Sequence, residues 1–119
     1  MKYGLEERTA RFGERIIGFI GELNKNNVNN PLISQIVRSA TSVGANYMEA
    51  NGASSKKDFR NKIFICRKEA NETKHWLRML SYANIDKVAE CKELWSEAHE
   101  LTLIFAKIIK SCDNKTLKN

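Results

Sequence analysis

The sequence has little proline, few cysteines and no long apolar run. Pro31 is the only proline among 119 residues, so the segments on either side of it are free to form long helices. Hydrophobic residues make up 42% of the chain and charged residues 29%, a balance that excludes collagen-like and disordered proteins. A chain of this length fits one domain with a single core.

The N-terminal residues lack the features of a secretion signal. Charged residues recur through residue 15, which leaves no apolar run of the about 7 to 15 residues that a signal peptide needs. No segment approaches the roughly 20 apolar residues of a membrane-spanning helix. The cysteines are odd in number and widely spaced, which argues against a disulfide framework and against a structural zinc site. These absences predict a reduced, cytoplasmic protein without a membrane partner.

Four amphipathic helices are predicted from apolar residues that recur in steps of three and four. The apolar seams cover residues 5–23, 33–50, 59–80 and 88–108. Asn30 is predicted to cap the second helix with Pro31 at its first position, and Ser55 with Asp58 predicts the start of the third. Short connections favour antiparallel neighbours. The predicted fold class is therefore all-α, an antiparallel up-down-up-down four-helix bundle over residues 1–112, followed by a flexible polar tail at residues 113–119.

The second helix carries unusually little charge. Between Val28 and Ala53 only Arg38 and Glu49 are charged, which is too little for a fully solvated outer face. The helix is predicted either to be buried on a second side by another subunit or to be a well-covered central helix of one chain. The sequence leaves both alternatives open.

The net charge of +6 is concentrated in one stretch of the chain. Residues 54–84 contain eight basic and three acidic residues, a balance of +5. At 100° per residue, five cations of the third helix fall on one flank of its seam and extend over roughly 33 Å. Such a row could contact several phosphates of a nucleic acid, or it could be a solvated flank that pairs with acids on the next helix. The row, called the predicted stripe below, consists of Lys56, Arg60, Arg67, Lys74 and Arg78.

Other charged residues offer less specific signals. Arg8, Arg11 and Arg15 are predicted to form internal ion pairs with Glu49, Glu69 or Glu72. Glu72 and His75 have the spacing of a di-iron ligand pair, but the sequence supplies no matching second pair, and no nucleotide-binding or zinc-protease motif occurs. Trp76 and Trp95 are predicted to pack as core or interface anchors, although an exposed indole could stack on a base. The sequence therefore predicts no catalytic residue, no metal site and no cofactor.

Three motifs resemble those of the family of proteins encoded in 23S rRNA intervening sequences. They are residues 38–50 (RSATSVGANYMEA), residues 55–59 (SKKDF) with Lys62, and residues 68–73 (KEANET) with Trp76 and Leu77. The resemblance implies a four-helix bundle that forms a ring-like homopentamer without catalytic activity. The family is in turn similar to the accessory variability determinant proteins of diversity-generating retroelements, which are basic bundles that bind nucleic acid and a reverse transcriptase.

The resemblance also implies roles for individual residues. Lys56, Lys57 and Lys62 correspond to basic positions of the family. Its structural polar positions correspond to Ser39, Ser42, Asn46, Glu49, Glu69 and Glu72.

The functional prediction is a non-enzymatic homo-oligomer that binds RNA or DNA through the predicted stripe, assisted by Lys57 and Lys62. The main alternative is a protein-interaction scaffold, or an accessory subunit of a nucleoprotein complex that does not itself contact nucleic acid. In that case the partner would be a nucleic-acid-processing protein. A metal-dependent enzyme is the third hypothesis, which the incomplete ligand set disfavours.

Overall fold

The computed structural model describes residues 4–118, with side chains through residue 114. Four α-helices make up almost all of this part of the chain: α1 (Leu5–Ile20), α2 (Asn29–Asn51), α3 (Lys56–Ala83) and α4 (Val88–Lys118). A short 3₁₀-helix (Ile85–Lys87) joins α3 to α4, and no strand occurs within residues 4–118. The molecule is a rod of 53 × 21 × 21 Å. The all-α prediction is confirmed.

The helix α4 extends past residue 112, after which the sequence predicts a tail. The helix continues without interruption through Lys118. Asp113, the first residue of the predicted tail, forms a bidentate ion pair with Arg60 of α3. The flexibility of the tail stays a prediction, and residue 119 lies outside the described residues.

The helix starts show one correct and one incorrect capping prediction. The hydroxyl of Ser55 accepts a hydrogen bond from the backbone N–H of Asp58 at 3.0 Å, as the sequence predicts for the start of α3. Asn30 does not cap α2, because Asn26 does so from further upstream. The Asn26 side-chain oxygen accepts hydrogen bonds from the backbone N–H groups of Val28 and Asn29, at 3.0 and 2.7 Å. Five asparagines compete in this segment, and the fold selects one of them.

All four helices contribute apolar side chains to one core. Phe12, Ile36, Ile63 and Phe105, one from each helix, are at most 1% exposed. Thr73 is the main polar residue at the centre, where it donates to the Glu69 carbonyl and shares a 2.8 Å hydrogen bond with the hydroxyl of Ser39. Because these hydroxyls have partners, the polar groups do not weaken the core.

Two glycines allow α1 and α2 to approach closely. A Cβ atom at Gly44 would lie 3.4 to 3.5 Å from Thr9 of α1, and one at Gly13 would lie 3.7 Å from the side chain of Thr41. Both are ordinary van der Waals distances, so a methyl group would fit at either position and only a larger side chain would crowd the neighbouring helix.

Polar contacts join the helix ends. Asn29 at the start of α2 exchanges hydrogen bonds with Asn84 at the end of α3, both at 2.9 Å. At the other end of the rod, Glu49 of α2 pairs with Lys62 near the start of α3 at 2.8 Å. Lys87, just before α4, pairs with Glu22, just after α1, at 3.2 Å. The connections are therefore held by side chains as well as by the core.

The buried cysteines have unreactive thiols. Cys66 and Cys91 lie in the core, at 0% and 2% exposure. Burial raises the pKa of Cys66 to about 12 and that of Cys91 to about 11, since the thiolate is poorly solvated there. No helix within residues 4–118 is both long and apolar enough to cross a membrane.

Candidate nucleic-acid interface

Part of the predicted stripe faces α4 instead of solvent. Arg60 donates two hydrogen bonds to the carboxylate of Asp113, at 2.6 and 3.2 Å, and this guanidinium holds the pKa of the Asp113 carboxyl below its usual value. Lys74 places its ammonium 3.1 Å from Nδ1 of His99 and 4.9 Å from the ring centroid of Trp95. A position 60 to 100° from the seam lies next to the neighbouring helix, so these two cations already have partners within the chain.

Lys62 also has an intramolecular partner. Its ammonium lies 2.8 Å from the carboxylate of Glu49 on α2, and this hydrogen bond raises the lysine pKa. The pair lies on the opposite flank of α3 from Arg60 and Lys74. Of the cations predicted to bind nucleic acid, Arg60, Lys62 and Lys74 are therefore engaged in holding α3 against its neighbours.

The remaining predicted cations are unpaired. Lys56, Lys57 and Arg78 are exposed and Arg67 is partly buried, and none of them makes an ion pair or side-chain hydrogen bond with the described residues. Lys68, which the sequence analysis did not select as a binding residue, is likewise exposed and unpaired. Three of the five cations of the predicted stripe, Lys56, Arg67 and Arg78, are thus without a partner among the described residues.

A continuous row of exposed residues follows the side of α3 that faces solvent. Its positions alternate steps of four and three from residue 57 to residue 82, the spacing that keeps side chains on one helix face. All eight side chains are exposed, and none of them is acidic. We call this row the outer ridge; it consists of Lys57, Asn61, Phe64, Lys68, Asn71, His75, Arg78 and Tyr82.

The outer ridge alternates cations with aromatic rings. In chain order its non-amide residues are Lys57, Phe64, Lys68, His75, Arg78 and Tyr82. Phe64 is 48% exposed and Tyr82 is 93% exposed, whereas large aromatic side chains usually lie in cores. The regular spacing of the outer-ridge residues, opposite the core seam, could have been found in the sequence. Only the exposure of the side chains in the structure shows that this face of α3 is free.

The two acids near the middle of α3 share one arginine, Arg38. Its guanidinium lies 3.4 Å from both carboxylate oxygens of Glu69 and also pairs with Glu72. Glu72 accepts a further hydrogen bond from the indole N–H of Trp76 at 2.9 Å. This group of side chains connects α2 to α3 on the flank opposite Lys74, and both carboxylates have hydrogen-bond donors within the chain.

The other polar residues selected by resemblance bond within the bundle. Ser39 joins α2 to α3 through Thr73. Ser42 donates to the carbonyl of Arg38 at 2.6 Å, and Asn46 donates to the carbonyl of Ser42 at 2.8 Å, one turn back along α2 in each case. Ser39 therefore links two helices, whereas the bonds of Ser42 and Asn46 lie within α2.

The predicted ion-pair partners of Arg8 are wrong, and Glu72, considered with His75 as a metal ligand, has other partners. Arg8 pairs with Glu97 and Glu100 of α4, at 2.8 and 3.3 Å, and not with the acids of α2 or α3. Its pairing with Glu97 raises the arginine pKa. His75 is exposed, while Glu72 is occupied by Arg38 and Trp76. Among the described residues, no three His, Cys, Asp or Glu side chains are placed to hold a metal ion.

The two tryptophans differ in their surroundings. Trp76 is partly buried and anchored by Glu72, which agrees with the packing prediction. Trp95 is 40% exposed and stacks on the ring of His99, with centroids 5.0 Å apart and an interplanar angle of 16°. Trp95 therefore covers the junction of α3 and α4 near Lys74 and is not part of the core.

Comparison with known proteins identifies the family of the chain. The family model of the 23S rRNA-intervening sequence protein matches residues 5–115. A solved structure from Bacteroides thetaiotaomicron, described as a protein with unknown function from the S23 ribosomal protein family, is 34% identical with a TM-score of 0.78. The similarity covers 89% of this chain and 98% of that one. No curated protein matches the chain. Because the family match extends over all four helices, the chain belongs to the 23S rRNA-intervening sequence protein family.

Proposed function

We propose that this chain is a non-enzymatic, antiparallel up-down-up-down four-helix bundle that acts in the cytoplasm, forms a homo-oligomer and binds RNA or DNA through α3. The observation that carries the proposal is the outer ridge. Lys57, Lys68 and Arg78 stand on it without an ion-pair or hydrogen-bond partner among the described residues, and no acid interrupts the row over the roughly 37 Å that 25 residues of helix span.

The antiparallel order is supported by contacts at both ends of the rod. The start of α2 contacts the end of α3 through Asn29 and Asn84, and the end of α2 contacts the start of α3 through Glu49 and Lys62. Arg60, near the start of α3, pairs with Asp113 in the last part of α4. These contacts support antiparallel packing of α2 against α3 and of α3 against α4, as short connections favour.

The distribution of ion pairs favours nucleic acid over a simple solvated flank. Cations at helix junctions, such as Arg8, Arg38 and Lys87, have acidic partners within the chain. The cations of the outer ridge have no such partner among the described residues, and they lie in the segment that carries most of the net positive charge. Cations of this kind would replace counterions condensed on a nucleic acid, and the release of those counterions favours binding.

Charge reversal on the outer ridge tests the proposal. We expect Lys57→Glu/Lys68→Glu/Arg78→Glu to weaken binding of a fluorescein-labelled RNA or DNA oligonucleotide at least about tenfold, because three phosphate contacts become repulsive. The slope of log affinity against log salt should become shallower by about 2 to 3, since each lost contact removes about 0.7 to 0.9. Fluorescence anisotropy between about 50 and 200 mM salt measures both quantities.

A variant with the same change in net charge serves as the control. Arg15→Glu/Lys92→Glu/Lys110→Glu also exchanges one arginine and two lysines, all exposed, but none of them lies on α3. We expect this control to bind nearly as well as the wild type. Equal losses in both variants would show that only net charge matters, and an absence of salt-sensitive binding by the wild type would overturn the proposal.

An oligomer is supported by a surface between α1 and α2. A shallow groove of about 320 Å³ lies there, lined mainly by small or apolar residues. Ile17 and Met48 at this groove are both more than half exposed. A surface of this kind, on the helix with the least charge, would be covered by a second copy of the chain. The family resemblance supports five copies.

Native mass spectrometry gives the number of subunits directly. We expect a pentamer for the wild type and dissociation for Ala45→Glu, since the new carboxylate would be buried without a partner in the groove. Ser34→Glu is the matched control, because Ser34 is also exposed on α2 but does not line the groove. A wild-type monomer at the highest concentration measured would contradict the proposal.

A protein-interaction scaffold is the second candidate function. It is favoured by Val28 and Ile85, two large apolar side chains that are exposed in the connections at one end of the rod. The partner would be a nucleic-acid-processing protein, as the similarity to the accessory variability determinant proteins implies. This candidate predicts that the charge-reversed ridge variant keeps its protein partner while the wild type shows no oligonucleotide binding.

A further inference from the structure

We infer that the occupant of the outer ridge is single-stranded nucleic acid, whose unpaired bases stack on Phe64, His75 and Tyr82 while Lys57, Lys68 and Arg78 bind the intervening phosphates. The inference rests on the proposed function and specifies its ligand. It predicts that the protein binds single strands more tightly than duplexes, a preference that a merely basic surface would not have.

The order of residues along the ridge resembles the order of groups in a nucleic acid strand. A single strand alternates a charged phosphate with a flat base, and the ridge alternates a cation with a ring three times between residues 57 and 82. Successive cations of the ridge are 10 to 11 residues apart, which is roughly 15 to 17 Å along a helix. Each cation–ring pair would therefore serve more than one nucleotide of an extended strand.

The aromatic rings are available for stacking. Tyr82 is 93% exposed and Phe64 is 48% exposed, and the described residues offer neither ring an aromatic partner. His75 is exposed too, and the edge-on contact of its ring with Trp76, at 5.0 Å between centroids, orients the imidazole. One exposed ring on a surface needs no explanation, but three on one face, each following a cation, form a stacking platform.

We expect a duplex to bind the outer ridge more weakly than a single strand does. Paired bases are stacked on one another and present only their edges in the grooves, so projecting rings would meet sugars and phosphates instead of base faces. Unpaired bases can turn onto aromatic rings without breaking a base pair. Asn61 and Asn71, which are exposed on the same ridge, add amides that can hydrogen-bond to base edges.

The experiment compares two probes on the wild type and two variants by fluorescence anisotropy. The probes are an oligothymidine of about 12 nucleotides and a blunt duplex of about the same length. We expect the wild type to prefer the single strand at least about tenfold. Phe64→Leu/His75→Leu/Tyr82→Leu should lose about tenfold or more of the single-strand affinity, because alkyl groups cannot replace base stacking, and should bind the duplex as before.

Two controls separate stacking from a change in folding. Phe64→Tyr/Tyr82→Phe keeps a ring at both positions and should retain the single-strand affinity. The leucine variant should have the wild-type melting temperature by circular dichroism, since none of the three positions is buried. With 2-aminopurine in the oligonucleotide, wild-type binding should quench its fluorescence, and the leucine variant should abolish this quenching.

The outcomes distinguish the inference from the proposed function. Equal affinity for both probes, with no effect of the leucine substitutions, would overturn the inference while salt-sensitive binding still supported the proposed function. Binding of neither probe would overturn both. Loss of duplex and single-strand binding together in a folded leucine variant would also overturn the inference, since it would indicate a general contact surface without base stacking.

Discussion

Phe105→Ala is expected to lower the free energy of unfolding by about 3 to 5 kcal/mol. The ring of Phe105 is completely buried in α4, where it contacts Tyr47 of α2 with their centroids 6.5 Å apart. Alanine would remove the apolar surface that the ring buries and leave a cavity that the surrounding helices can close only in part. Urea unfolding followed by circular dichroism, at one fixed protein concentration, measures the change.

Leu103→Ala is the matched control for this cavity. Leu103 lies two residues before Phe105 on the same helix, has a similar helix propensity to alanine and is 57% exposed. Its substitution should change the unfolding free energy by no more than about 0.5 kcal/mol. A large effect at Leu103 and a small one at Phe105 would mean that α4 turns its other face to the core, which would contradict the structure.

Arg38→Ala is expected to destabilise the bundle by about 2 to 3 kcal/mol. The substitution removes the cation that pairs with Glu69 and Glu72, and the Glu69 residue is only 9% exposed. An almost buried carboxylate without a partner is costly, and removal of one member of a fully buried pair typically costs about 3 to 5 kcal/mol. We expect less here, because about half of the Arg38 side chain reaches solvent and the pair is partly screened.

Two further variants separate the lost ion pair from other effects of removing Arg38. Adding Glu69→Gln to Arg38→Ala should restore part of the stability, because a neutral amide can be buried without a cation. Arg11→Ala removes an arginine whose pair with Glu7 is exposed on one helix, so it should cost no more than about 0.5 kcal/mol. If the double variant were less stable than Arg38→Ala, the carboxylate of Glu69 would not be the group that needs Arg38.

The helices and the core could be predicted from the sequence because both depend on local periodicity. Ile63, Cys66 and Ala70 recur at helical spacing, and all three are completely buried in α3. The start of α3 was also predictable, since Ser55 and Asp58 act within one turn of helix. The start of α2 was not, because several asparagines there can bond to nearby backbone and only the path of the chain selects Asn26.

The candidate interface could be predicted only in part. The position of each cation around α3 follows from the helical period, and the excess of charge in residues 54–84 follows from counting. Neither the helical period nor the charge count predicts the partner of each cation. Arg60 meets Asp113, which is 53 positions away, and Lys74 meets His99, 25 positions away. The predicted stripe therefore included residues that hold helices together and omitted Lys68, which has no partner among the described residues.

The sequence by itself determined that this protein is helical, which residues form its core and that α3 carries its positive charge, because these properties depend on residue type and on the 3.6-residue period. Only the tertiary structure decided which side of α3 is open, since a flank is covered or free according to the helix beside it. Docking of α4 covers Arg60 and Lys74 and leaves Lys57, Phe64 and Tyr82 facing solvent. Long-range packing is not encoded in local spacing, so the outer ridge could be identified only after the helices were in place.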